Sequence, residues 1–349
     1  MFTLSYAMAI YLIFNNIVLT FIGKNIEYLV FFMISLMWIL FWGSTNNADS
    51  SNYLLLYENV SETGMGWINS EVGFVGLIRI AVFFGLEYSQ FLMVISFISL
   101  SLIYITVQRY TQKLKYVWSL YFIYPFLLDV VQVRHFLAMS IMVYSINFLL
   151  KGKNVRYTIG ILIAFSIQFA TVMFLPFIFI YKMKIKNIWI ITIASIILGI
   201  FLVKSNYILY LIGFIVSIDK INMYFENKAS FGFLLQWIIQ IMFMLPIYII
   251  YVKVQSERFV ELVYKLNIYL LMMFPIYMIN LNSSRIFRMI LILNYIVYAI
   301  GFLKLNGKIR YALFIYVMFL VVGEFGLDIL FSTSDIVLYP IFQKNIILN

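Results

Sequence analysis

Residues 151–186 read KGKNVRYTIGILIAFSIQFATVMFLPFIFIYKMKIK, and the fold turns on how this stretch is taken. Residues 157–181 carry no charge, yet Lys151, Lys153 and Arg156 stand before them and Lys182, Lys184 and Lys186 after them. A run this apolar is long enough to cross about 30 Å of hydrocarbon, which takes about 20 helical residues. Clusters of Lys and Arg stay on the cytoplasmic side of a membrane, so a simple crossing would put one triplet on the wrong side. Both triplets stay inside if 157–181 dips in from the cytoplasm as two half-helices, meets near Gln168-Phe169-Ala170-Thr171, and returns. Irregular backbone at that depth persists only when buried in protein or lining a water-filled cavity. The segment therefore implies a cavity.

Working outward, the rest of the 349 residues has the same character. Residues from the AVILMFWYC set make up 64%, charged residues 11%, and the mean hydropathy is +1.01. A soluble domain has roughly 45–50% and about 25%. With 24 Lys and Arg and 14 Asp and Glu, the chain cannot cover the outside of a soluble protein of this size. The expected fold is an all-α, polytopic membrane helix bundle forming one transmembrane domain over 1–349. Spans are expected near 2–22, 27–42, 88–107, 116–131, 134–150, 188–203, 231–252, 266–283, 285–303 and 311–330. The first run has no basic leader or A-x-A site and is expected to remain as a span.

Lys24 and five triply basic loops hold sixteen of the 24 cations and are placed inside. Besides the two triplets already named, these loops carry Arg109, Lys113 and Lys115; Lys253, Arg258 and Lys265; and Lys304, Lys308 and Arg310. The segment 43–71 has no Lys or Arg and carries Asp49, Glu58, Glu62 and Glu71, so it is placed outside. With 72–86 at the outer leaflet, 43–86 becomes an extracytoplasmic loop with an interfacial helix, and 204–230 a second such loop. This gives ten spans with both termini outside; letting both irregular stretches cross gives twelve.

The +10 charge lies in short clusters between apolar runs, which speaks for membrane topology and against nucleic acid. Without Cys and with the single His135, neither a thiolate site nor a multi-His metal site is available. Neither a P-loop nor a GxGxxG loop is present, so no cofactor is expected.

Arg79, Arg134, Arg285 and Arg288 lie in or against apolar stretches toward the outside, where each guanidinium needs a partner or a polar cavity. An Arg fork matches phosphate oxygens, so the four are candidate diphosphate ligands; snorkelling at helix ends is the plainer reading. Arg285 and Arg288, spaced i, i+3, share a helical face with Ile292 and Tyr295. Glu324 and Asp328 would neutralise them if the four form a structural charge cluster. Asp49, Tyr53 and Tyr57 recur every four residues along one face of a short helix that Asp49 can cap. Two phenols and a carboxylate on one face suit a sugar, although from these residues alone capping with interfacial packing is the stronger account.

Asp49-x3-Tyr53-x3-Tyr57, Glu71-x-Gly73-Phe74-x2-Leu77, Val133-Arg134-His135-x-Leu137-Ala138, Asn282-Ser283-Ser284-Arg285-Ile286 and Asp335-Ile336-Val337-Leu338-Tyr339-Pro340 resemble, in order and spacing, the EpsG-type branch of the Wzy-like polysaccharide polymerases. The chain departs from that pattern in having His135 after Arg134 where Gln is common and Gln168 where His is frequent, and in lacking an Arg shortly before Asp49. The resemblance implies a metal-independent glycosyltransferase in a bacterial cytoplasmic membrane. It would join undecaprenyl-diphosphate-linked oligosaccharide repeat units on the outer face, with a flippase and a chain-length regulator as partners by analogy. Asp49, Glu71 and His135, in that order, are the candidate general bases. A lipid-linked oligosaccharide flippase, or a membrane glycosyltransferase using a polyprenyl-phosphate sugar, are the competing expectations.

Overall fold

A computed structural model describes residues 4–22, 27–66, 70–205, 232–254 and 257–348. Lys24 and nearly all of the expected second outer loop, 204–230, lie outside the described residues. Those described are helical and form no strand. Six helices are long and apolar enough to cross a membrane on their own: Tyr88–Tyr110, Val133–Leu150, Ile185–Lys204, Gly232–Val254, Arg258–Ile279 and Gly307–Leu330. Shorter helices, α1 (Leu4–Ile22) and α2 (Glu27–Trp42), stand where the first two spans are expected. The chain divides into two compact units, residues 1–175 with 291–349, and residues 176–290.

In the first unit α3 (Ser50–Thr63) and α4 (Val72–Phe83) form the segment between α2 and α5 (Tyr88–Tyr110). At 12 residues α4 spans only about 18 Å, less than the about 30 Å of a hydrocarbon core. The expected span 116–131 is broken into α6 (Leu114–Ile123) and α7 (Phe126–Val131). Then α8 (Val133–Leu150) packs between α5 and α9 (Asn154–Ile167). Trp118, Tyr121, Phe136 and Tyr295 are fully buried there. Lipid gives no hydrophobic drive between helices, so close backbone approach at small residues counts for more. A Cβ added at Gly160 would lie 3.0 Å from Ser145 Cβ, seating α9 tightly on α8.

The helix α9 stops at Gln168, whose backbone is extended (φ −145°, ψ 112°), and a 3-10 turn follows over Phe169–Phe174. The break falls where two half-helices are expected to meet. Thr171 caps the turn by donating its hydroxyl to the Gln168 carbonyl at 2.9 Å. Tyr157, near the start of α9, donates its hydroxyl to the Phe174 carbonyl at 2.6 Å. By Phe174 the chain has thus come back within reach of the Tyr157 side chain, near the beginning of α9. The tip meets α4: a Cβ on Gly73 would lie 2.8 Å from the Ser166 carbonyl carbon.

Three sequence expectations are corrected. The helix expected from 266 begins at Arg258, and Glu261 pairs with Lys265 at 2.7 Å within it. Lys265 is buried and donates Nζ to the Tyr181 carbonyl at 2.9 Å, so it belongs to a helix and not to a loop. The expected helix 285–303 is interrupted: Arg285–Arg288 forms one turn, and the next helix runs Leu291–Lys304. Arg285 and Arg288 therefore do not continue on one helical face into Ile292 and Tyr295. Beyond Glu324 the last span becomes a π-helix over Phe325–Leu330, which changes the register between Glu324 and Asp328.

In the second unit the helix α10 (Ile185–Lys204) turns Ile190, Ile193, Ile197 and Phe201 outward, a face suited to lipid. Gly199 lies against Pro275, where no Cβ would fit.

Candidate active site

Asp49 occupies the N-cap position of α3 with helical φ and ψ and makes no side-chain capping bond. A capping side chain requires non-helical backbone at that residue, so the expected cap fails. Asn47 supplies the local bond instead, its Oδ1 accepting from the Asp49 amide at 3.2 Å. The half-buried Asp49 carboxylate has no hydrogen bond or ion pair among the described residues and stands within electrostatic range of Tyr53 and Tyr88. It is an acceptor left free.

One turn on, Tyr53 is buried edge-on against Phe74 of α4, ring centroids 5.9 Å apart. Burial pushes its phenol above the ordinary range while the Arg134 charge pulls the other way, so the hydroxyl stays protonated at neutral pH. Tyr57 packs against Tyr88 and Phe91 and donates its hydroxyl to the Leu86 carbonyl at 2.5 Å. Its ring and hydroxyl are both used in tying α3 to the α4–α5 turn.

The centre of the cluster is Arg134, second residue of α8. Its Nη1 donates to Glu71 Oε2, its Nε donates to the Tyr53 hydroxyl at 3.4 Å, and its guanidinium lies 5.4 Å from the Tyr53 ring centre. Three separate elements, α3, the N-terminus of α4 and the start of α8, therefore converge on one cation. Arg134 and Glu71 keep 32% and 23% of their side-chain surface exposed. Of five guanidinium N–H groups, the remaining Nη1 proton and both Nη2 protons have no partner among the described residues. The ion pair holds the fork in place and leaves three donors open.

The neighbouring His135 points the other way. It is 3% exposed, with Nε2 3.9 Å from Oδ1 of the fully buried Asp129, whose Oδ2 accepts from Tyr121 at 2.7 Å. This interior placement removes His135 from the open side of Arg134. Sequence reasoning missed Asp129, although a lone acid in an apolar run is a signal in itself. It also missed the bond from the Tyr124 hydroxyl to Asp328 Oδ2 at 2.7 Å, and Tyr295 donating to the Tyr124 carbonyl at 2.9 Å. These bonds fix the break between α6 and α7.

Arg79 is exposed on α4 and makes no hydrogen bond or ion pair among the described residues. Arg285 and Arg288 belong to the second unit, Arg285 half-buried and Arg288 buried. The turn before them is capped by Asn280, whose Oδ1 accepts from the Asn282 amide at 2.8 Å.

The model of the EpsG family matches residues 27–339, which include every site residue named above. No curated protein and no solved structure matches the chain.

Proposed function

The chain belongs to the EpsG family, a family of Wzy-like polysaccharide polymerases, and on that premise we propose that it joins undecaprenyl-diphosphate-linked oligosaccharide repeat units on the outer face of a bacterial cytoplasmic membrane. The observation that carries this reading is the Arg134 fork, held from one side by Glu71 and Tyr53 with three donors still open among the described residues. A leaving diphosphate develops negative charge, and preplaced N–H groups stabilise it without reorganising. Guanidinium suits the task because its planar fork reaches two phosphate oxygens at once.

The transfer breaks the bond from the anomeric carbon to the diphosphate oxygen, the electron pair leaving with the diphosphate. The new bond forms from an acceptor sugar hydroxyl to the same carbon, and the hydroxyl proton passes to a base. Asp49 fills that role best, since its carboxylate is free and one helical turn from Tyr53, whereas Glu71 is engaged with Arg134 and His135 faces Asp129. Tyr53 keeps the fork oriented. The ten-span arrangement, with the site and both termini outside, is supported by the chain coming back at Phe174 within reach of the Tyr157 side chain.

Purified protein in lipid vesicles, given synthetic undecaprenyl-diphosphate repeat units, is expected to produce a ladder of oligosaccharides. Repeat units moved between leaflets without any product longer than one unit would favour the transporter reading and overturn this one.

A further inference from the structure

At the end of α8 opposite Arg134, where the loop Lys151–Lys153 joins it to α9, the helices α5, α8 and α9 leave a groove of about 370 Å³. Its walls are Leu102 of α5, Tyr144 and Phe148 of α8, and Ile159 and Ile163 of α9, all apolar. Its floor is closed where Gly160 meets Ser145. One charged residue lines it, Arg156.

Arg156 does not stand alone. Lys151 and Lys153 lie in the adjoining loop, and Arg109 stands seven residues beyond Leu102, two turns along the same face of α5. All four cations are exposed, and none is paired with an acid among the described residues. No Asp or Glu occurs in 109–115 or 151–156. An apolar trough ending in unpaired cations matches an amphiphile with a hydrocarbon tail and an anionic head. Between Arg134 and Phe148 α8 rises about 21 Å, at about 1.5 Å per residue, so this groove is separate from the outer site.

We propose that the groove binds one anionic glycerophospholipid of the cytoplasmic leaflet, an acyl chain lying along the Leu102, Phe148 and Ile163 walls and the phosphate on Arg156. Arg109, Lys151 and Lys153 add attraction at the rim, where each basic residue strengthens binding to an anionic surface about fivefold. The assignment rests on the basic loops being cytoplasmic and not on the polymerase reading.

The test uses the full chain in phosphatidylcholine vesicles doped with a photoreactive-tail phosphatidylglycerol or, separately, a photoreactive-tail phosphatidylcholine. Labelled peptides are then mapped. Phosphatidylglycerol is expected to label 141–163 at least about fivefold more than phosphatidylcholine, and Arg156→Gln to lower only the former, by about fivefold. Arg156 is exposed, so this variant folds. Equal labelling by both lipids, no effect of Arg156→Gln, or labelling no stronger than at the exposed Ile315 and Phe319 face would each overturn the proposal.

Discussion

Arg134→Lys is expected to slow polymer formation by about 10²–10⁴-fold while leaving the protein folded in the membrane. The magnitude comes from counting donors. Arg134 spends Nη1 on Glu71 and Nε on Tyr53 and keeps three N–H groups for substrate. A lysine ammonium at this position has one nitrogen, and once it points at Glu71 it cannot also span two phosphate oxygens. Losing two charge-assisted hydrogen bonds, at about 1.5–3 kcal/mol each, removes about 3–6 kcal/mol from the stabilisation of the leaving diphosphate. Every 1.36 kcal/mol is tenfold in rate. The assay is the initial rate per folded molecule with synthetic lipid-diphosphate repeat units, kcat and KM taken separately. The loss belongs in kcat if the charge is met chiefly in the transition state. A variant within about threefold of wild type would refute the donor count. Glu71→Gln tests the anchoring half: the double variant should lose less than the two single losses combined, because both act on one fork.

Asp49→Asn should lower the rate by about 10²–10⁴-fold with unchanged thermal unfolding, as expected for a general base that makes no structural bond; full activity would remove it from that role. Gly73→Ala should destabilise by about 1–3 kcal/mol through the clash with Ser166, read as a lower Tm, and Ser166→Gly on the same chain should restore part of it. Asp129→Ala should cost about 1–3 kcal/mol by stranding the buried Tyr121 hydroxyl, again read by thermal unfolding. Cysteine is absent from the chain, so single cysteines report sidedness: at the exposed Lys153 and Lys184 both should react only from inside, whereas a crossing 157–181 would put them on opposite sides. Gln112→Cys should join them, being exposed where its neighbour Thr111 is buried, and Ser61→Cys should react only from outside.

How far the sequence foretold this arrangement depends on whether a feature is local. The break at Gln168 was legible because charge at both ends of 157–181 argues for two half-helices, and charge placement is a property of the sequence alone. The helix carrying Asp49, Tyr53 and Tyr57 was legible from its spacing, but the failure of the cap was not, since it follows from the backbone angles Asp49 adopts. The pairing of Arg134 with Glu71 spans 63 residues and depends on α4 docking beside the start of α8. No periodicity encodes that. The interruption after Arg288 has no Gly or Pro to announce it, and the buried Lys265 looked like a loop residue because its partners, Glu261 and the Tyr181 carbonyl, are a helical turn and 84 residues away.

The central claim is that the Arg134 fork grips a polyprenyl diphosphate, and equilibrium binding tests it without turnover. Wild-type protein in vesicles should bind undecaprenyl diphosphate at least about tenfold more tightly than undecaprenyl monophosphate, and Arg134→Gln should abolish that preference. Equal affinity of wild type for the two lipids, or a preference that survives Arg134→Gln, would contradict it.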